Sequence, residues 1–135
     1  MLRTIIIEDE LHIRNTIGKI IKKNDLQVRI IAETDSVESS ISVIVKNRPD
    51  LILLDVQLTD GTGFDLLEKI KDILPLKVIF ITAHEQYALK AIKSNAMDYV
   101  LKPIKPIELI AAIQKATDAI TKEHTEFKIS AMISE

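Results

Sequence analysis

Five short apolar runs separated by longer amphipathic segments limit how this chain can fold more than any other feature. The runs lie at residues 4–7, 28–32, 51–54, 78–81 and 97–101. They are rich in Ile, Val and Leu and lack polar alternation, a pattern typical of parallel strands covered on both faces. We therefore expect a parallel sheet of five strands.

Helical spacing of apolar residues fills the segments between the runs. Ile13, Ile17, Ile20 and Ile21 fall at i, i+4, i+7 and i+8, as do Val37, Ile41, Ile44 and Val45, and residues 64–73, 85–94 and 110–120 carry further stripes. Ser36 is a suitable N-cap, and Pro106 suits the first turn of the last helix, where a missing N–H costs little. Five β-α units with right-handed crossovers predict a doubly wound α/β fold with helices on both faces.

Length and composition predict one domain and exclude several classes of function. A chain of 135 residues, 47% of them hydrophobic, is long enough for one buried core and short for two. A net charge of −2 lacks the cationic excess that nucleic-acid phosphates require, so we do not expect the domain itself to read DNA. The absence of Cys excludes disulfides, and no apolar run approaches the roughly 20 residues that span a bilayer. We expect a cytoplasmic protein that does not enter a membrane.

The apolar pattern decays after about Lys122. We expect the compact domain to end there. Residues 123–135 would then be a frayed end, a linker or the stub of a further domain, and we favour a linker or stub.

Acidic side chains follow two predicted strands, at the edge where doubly wound folds bind ligands. The first strand ends in Glu8-Asp9-Glu10, and the third ends in Asp55. Carboxylates gathered in this way repel one another unless a cation or proton relieves them, and Mg²⁺ accepts hard oxygens from one or two carboxylates. Glu10 alone fits an acid in a helical first turn, whereas Asp9 and Asp55 favour a magnesium site.

A hydroxyl and an ammonium group complete this edge. The fourth strand ends in Thr82-Ala83, and the fifth run leads to Lys102-Pro103. Alone, such a Thr is usually a β-former and such a Lys a solvated charge. Together at the strand ends, they would supply a hydrogen bond and a positive charge to phosphoryl oxygens.

Four ordered motifs carry a resemblance to a known family. They are Ile7-Glu8-Asp9-Glu10, Leu53-Leu54-Asp55, Ile81-Thr82-Ala83 and Asp98-Tyr99-Val100-Leu101-Lys102-Pro103. With these motifs, nearly the whole chain resembles the receiver domains of two-component response regulators. The resemblance implies a CheY-like, flavodoxin-like fold with the strand order 2-1-3-4-5.

The resemblance also implies an acceptor and a metal site. Asp55 would take a phosphoryl group from a sensor histidine kinase. Mg²⁺ would be held by Glu8, Asp9, Asp55 and the backbone carbonyl of Gln57, with Asp9 favoured over Glu8 as the direct ligand. Thr59 departs from the family pattern, in which many receivers carry proline, and predicts a somewhat less rigid loop.

A switch is implied as well. Lys102 and Thr82 would bind the phosphoryl oxygens, Tyr99 would rotate inward as Thr82 moves, and the Lys102–Pro103 bond would be cis. The face of the fourth helix, fifth strand and fifth helix would then change shape, and we expect phosphorylation to promote a homodimer through it.

Residues 83–92 and 95–99 look like those of receivers attached to LytTR-type DNA-binding domains. This implies transcriptional regulation, with DNA bound only through an output domain. A stand-alone phosphorelay receiver is the alternative.

Other functions fit the motifs less well. A phosphatase of the haloacid dehalogenase type would carry Asp-x-Asp near the amino terminus, whereas Asp55-Val56-Gln57 lacks the second acid and lies mid-chain. A degenerate receiver that only binds partners would have lost the acceptor, the acidic pair or the lysine. No glycine-rich nucleotide loop is present. We expect a phosphoacceptor switch with self-phosphorylation and autodephosphorylation chemistry only, and not an enzyme.

Overall fold

A parallel sheet of five strands forms the centre of the computed structural model, which describes residues 1–73 and 75–133. The strands are β1 (Leu2–Ile7), β2 (Val28–Thr34), β3 (Leu51–Asp55), β4 (Lys77–Thr82) and β5 (Asp98–Leu101). Their order is β2-β1-β3-β4-β5, and each neighbouring pair is parallel. The predicted fold and strand order are confirmed.

Helices cover both faces of this sheet. In the described residues they are α1 (Leu11–Lys23), α2 (Val37–Asn47), α3 (Gly63–Ile70), α4 (Ala88–Lys93) and α5 (Pro106–Ile133). The third predicted helix ends in a 3-10 turn at Lys71–Ile73, and the fourth begins with one at Glu85–Tyr87. Ser36 caps α2 as expected, since its hydroxyl accepts a hydrogen bond from the Ser39 N–H at 3.1 Å.

The sheet separates two apolar layers. One layer packs β-strand residues such as Ile6 against α1 and α5, and the other packs residues such as Ile5 against α2, α3 and α4. Successive side chains of a strand point to opposite faces, so a strand covered on both sides must be apolar throughout. This requirement explains the uninterrupted apolar runs in the sequence.

The last helix continues further than the apolar pattern indicated. The apolar pattern predicts that the compact domain ends near Lys122, whereas α5 runs to Ile133, and Glu123 forms an ion pair with Lys77 of β4 at 2.6 Å. Residues 121–133 are exposed, so no buried stripe marks them in the sequence. Residues 134 and 135 of the predicted tail lie outside the described residues. Within residues 1–73 and 75–133, no helix is sufficiently long and apolar to cross a membrane.

Gly63 lets the start of α3 pack directly against the end of β3. Its N–H donates a hydrogen bond to the Val56 carbonyl at 2.8 Å. A Cβ at this position would lie 2.7 Å from the backbone oxygen of Asp55 and 3.0 Å from Cγ of Leu54. Because a strand backbone cannot swing aside, this close approach requires glycine.

We predict that Gly63→Ala lowers the free energy of unfolding by about 1–3 kcal/mol, because the methyl group overpacks against the backbone. Gly18→Ala is the matched control, since Gly18 lies inside α1 and, apart from its chain neighbours and the local helix backbone, no heavy atom lies within 4 Å of an added Cβ. That control should gain roughly 0.5–1 kcal/mol from its better helix propensity. Urea denaturation followed by circular dichroism measures both. A Gly63→Ala protein as stable as the wild type would contradict the close approach.

Candidate functional site

Carboxylates from the ends of β1 and β3 meet at one edge of the sheet. The two strands are neighbours, and Ile7 lies opposite Leu54, so the residues that follow emerge side by side. One carboxylate oxygen from each of Glu8, Asp9 and Asp55 lies within 4.8 Å of the others. The structure thus brings together the three acids that the sequence singled out.

Burial makes this cluster electrostatically unfavourable by itself. The exposed fraction is 2% for Glu8 and 5% for Asp55, while Asp9 is partly exposed. Burial, together with the hydrogen bond and negative charge of Asp55, raises the pKa of Glu8 to about 8, although Lys102 opposes the shift. A proton or a cation is therefore needed to relieve the site near neutral pH.

Lys102 is the cation that the protein itself supplies. Its Nζ lies 2.7 Å from Oε1 of Glu8, 3.3 Å from Oδ2 of Asp55 and 3.8 Å from Oε1 of Glu10. Burial works to lower the pKa of Lys102, but the close contact with Glu8 and the negative charges of Asp55 and Glu8 outweigh it, and the pKa is raised. Lys102 stays charged, yet one ammonium group does not balance the surrounding carboxylates.

The oxygens of this site fit a hard divalent cation. Among the described residues, Oε1 of Glu8 is buried and accepts no hydrogen bond of good geometry, although Lys102 lies close to it. Clustered carboxylate oxygens with spare acceptor capacity are the ligands that Mg²⁺ prefers. The donor set therefore agrees with the magnesium site predicted from the sequence.

Thr82 lies at the end of β4, one residue beyond the pairing of Ile81 with Asp55. Its side chain is buried, and its Oγ1 accepts a hydrogen bond from the His84 N–H at 3.1 Å. The Lys102 N–H donates to the Thr82 carbonyl at 2.8 Å. The hydroxyl and the lysine are thus held at adjoining strand ends, as predicted. The Lys102–Pro103 bond is cis, also as predicted.

A series of ring contacts leads away from Thr82, and sequence reasoning missed it. The His84 ring meets Tyr87 edge-on at 5.8 Å between centroids, Tyr87 lies 6.1 Å from Phe64, and Phe64 lies 4.8 Å from Phe80. Lys90 of α4 places its Nζ 4.5 Å from the Phe64 ring centre. The loop after β4 is therefore packed against the starts of both α3 and α4.

The loop after β3 forms a short β-hairpin with a two-residue turn, which the apolar periodicity of the sequence did not reveal. Gln57 pairs with Thr62, and the Gln57 N–H donates to Oδ1 of Asp55 at 3.2 Å. Thr59 and Asp60 form the turn. The Asp60 carboxylate accepts hydrogen bonds from two N–H groups at the start of α2, at 2.7 and 3.0 Å, which lower its pKa. These bonds connect the turn to the start of α2.

Comparison with known proteins identifies the family. Residues 4–114 match the family model of the response regulator receiver domain. The chain belongs to this family. The receiver domain is also 38% identical over 117 residues to the sensory transduction protein LytT of Enterococcus faecalis, covering 86% of this chain and 48% of that protein. With LytT of Bacillus anthracis it shares 36% over 118 residues, 85% of this chain and 47% of the relative. The chain spans about half the length of the curated relatives it matches.

Solved receiver structures agree with the fold. The response regulatory domain of mrkE from Klebsiella pneumoniae is 28% identical with a TM-score of 0.82, over 90% of this chain and 99% of that one. The REC domain of AraT, a response regulator from Geobacillus stearothermophilus, is 27% identical with a TM-score of 0.83, over 91% and 98%. This receiver domain therefore aligns with almost the full length of isolated receiver structures.

The raised pKa of Glu8 predicts a pH-dependent stability. Between the ordinary value of 4.5 and about 8, the folded state binds more protons than the unfolded state, so stability falls as pH rises through this window. Glu8→Gln removes the titrating group and is the matched control. We expect the wild type to lose free energy of unfolding relative to Glu8→Gln between pH 5 and pH 8 in the absence of divalent cations.

Urea denaturation across that pH range, repeated with saturating Mg²⁺, makes the measurement. Mg²⁺ should replace the proton and reduce the pH dependence of the wild type. If the free energy of unfolding depended on pH in the same way in the wild type and in Glu8→Gln, the raised pKa of Glu8 would be contradicted.

Proposed function

We propose that this receiver domain accepts a phosphoryl group on Asp55 from a sensor histidine kinase in a Mg²⁺-dependent reaction. The observation that carries the proposal is the buried Asp55 carboxylate, grouped with Glu8 and Asp9 within 4.8 Å and with Lys102 Nζ 3.3 Å from its Oδ2. Family membership supports the kinase as partner. Glu8, Asp9, Asp55 and the Gln57 carbonyl would hold Mg²⁺, which, when bound, neutralises charge on phosphoryl oxygens.

The residues of the chain position and stabilise the transfer. An oxygen of Asp55 attacks phosphorus, the phosphorus–nitrogen bond to the kinase histidine breaks, and its electron pair returns to the imidazole nitrogen. Lys102 stabilises negative charge on the transferring oxygens. Asp55 is held for attack from both sides, by the Gln57 N–H on Oδ1 and by Lys102 on Oδ2. The acyl phosphate is lost by hydrolysis, so the domain turns over only its own modification and is not an enzyme for an external substrate.

The phosphoryl group carries nearly two negative charges in place of the single charge of the Asp55 carboxylate, and its oxygens need partners. We infer that Thr82 releases the His84 N–H and donates its hydroxyl to the phosphoryl group. The loop would then shift its ring contact with Tyr87 at the start of α4. Tyr99, 37% exposed on β5, would rotate inward into the space that Thr82 leaves. This is a two-state element biased by local charge.

The surface formed by α4, β5 and α5 would change on phosphorylation and bind the partner. Leu89 and Ile92 of α4 and Ile107 of α5 are 61%, 64% and 81% exposed, which gives this face apolar groups to bury. We propose that phosphorylation promotes a homodimer through this face. The LytT relatives, about twice as long, support a LytTR-type output domain that binds DNA and regulates transcription in the cytoplasm. A stand-alone relay receiver is the alternative.

We predict that Asp55→Asn abolishes labelling by acetyl phosphate with Mg²⁺, because the amide cannot form the acyl phosphate. Asp118→Asn, an exposed acid on α5, is the control for the same change of charge and should label as the wild type does. Intact-mass spectrometry counts the phosphoryl groups, and circular dichroism checks the fold. Full labelling of a folded Asp55→Asn protein would show that Asp55 is not the acceptor.

Thr82→Ala should separate phosphorylation from its consequence. We expect Asp55 still to be labelled, while the change in hydrogen exchange at α4, β5 and the start of α5 is largely lost, because the hydroxyl that senses the phosphoryl group is missing. Thr16→Ala, on the exposed face of α1, is the matched control. A wild-type exchange response in phosphorylated Thr82→Ala would show that Thr82 is not the switch.

A further inference from the structure

Arg14 in the first turns of α1 reaches back to the acidic loop. Its Nη1 donates a hydrogen bond of 2.6 Å to the backbone carbonyl of Glu8, and its side chain is 18% exposed. Its Nε lies 3.8 Å from Oε1 of Glu33 on β2. The guanidinium thus holds the peptide of the acidic loop, and its ion pair is with a residue outside the acidic site.

The bond from Arg14 fixes a peptide group that the acidic site depends on. The carbonyl of Glu8 and the N–H of Asp9 belong to one planar unit. The preceding peptide is also held, since the Glu8 N–H donates to the Thr34 carbonyl at 3.0 Å. With both peptides fixed, fewer backbone torsions remain free to carry the Asp9 carboxylate away from Asp55.

We propose that Arg14 is a positioning residue for the magnesium site. By holding the Glu8–Asp9 peptide, it keeps the Asp9 carboxylate beside those of Glu8 and Asp55 and so increases the affinity for Mg²⁺. This inference rests on the proposed function, which places the metal at these three acids. Partners that orient metal ligands typically account for a factor of about 10–100 in metal affinity or activity.

Electrostatics alone predicts the opposite sign. Arg14 is a cation near a cation site, so removing its charge should strengthen Mg²⁺ binding if charge were its only influence. Pairing with Glu33 offsets part of that charge. A loss of Mg²⁺ affinity on removing Arg14 therefore reports positioning and cannot arise from the change in charge.

The test is titration of the whole chain with Mg²⁺ by isothermal calorimetry, in the wild type, Arg14→Met and Arg29→Met. Arg29→Met is the control, because Arg29 is exposed on β2 and loses the same charge. We expect Arg14→Met to weaken Mg²⁺ binding about 10–100-fold, and Arg29→Met to bind as the wild type does or slightly more tightly. Arg14→Lys keeps the charge and one donor, and should lose less affinity than Arg14→Met.

Urea denaturation without divalent cations separates positioning from a purely structural role. A folded Arg14→Met protein that binds Mg²⁺ as tightly as the wild type, or more tightly, overturns the proposal even if its stability is lower. If Arg14→Met does not fold, Arg14→Lys decides, with weakened binding supporting the proposal and wild-type binding overturning it. Absence of Mg²⁺ binding by the wild type, or undiminished binding by Asp9→Asn, overturns the proposed metal site itself and this inference with it.

Discussion

The repulsion among the carboxylates buried at the ends of β1 and β3 is the interaction on which the rest of the site depends. Lys102 offsets part of it with contacts of 2.7 Å to Glu8 and 3.3 Å to Asp55, and the pKa of Glu8 is still raised to about 8. A site in this state favours any ligand that brings positive charge. A divalent cation would relieve that imbalance, and in the proposed function the cation would accompany a phosphoryl group.

The fold makes this arrangement possible because the electrostatic repulsion is confined to one edge of the sheet. Apolar side chains on both faces of the sheet provide the stability. Parallel strands bring carboxylates, a hydroxyl and an ammonium group to the carboxyl ends of β1, β3, β4 and β5. The loop between β4 and α4 begins at the same edge of the sheet. Thr82 is bonded to the loop that carries His84, and the ring of His84 contacts Tyr87 where α4 begins. In the proposed switch, these contacts would carry a change at Thr82 to the start of α4.

Much of this could be predicted from the sequence because the signals are periodic or positional. Strands covered on both faces must be apolar throughout, and residues that follow neighbouring parallel strands lie close together, so the sheet and the grouping of Glu8, Asp9 and Asp55 could be anticipated. The strand order was implied by the resemblance of the four motifs to receiver domains. The end of α5 could not, because an exposed helix leaves no buried stripe. The hairpin tied to α2 by Asp60 and the contact of Arg14 with Glu8 join residues by side-chain geometry that spacing does not encode.

The central claim is that the three acids and Lys102 form one site for Mg²⁺ and a phosphoryl group on Asp55. A crystal structure of the chain with Mg²⁺ and beryllofluoride, a phosphoryl analogue, tests it most directly. The account predicts beryllium bonded to an oxygen of Asp55, Mg²⁺ on the carboxylates of Asp9 and Asp55, and Lys102 Nζ within hydrogen-bond distance of a fluoride. Analogue and metal bound at a different residue, or Asp55 left unmodified in crystals saturated with both, would contradict it.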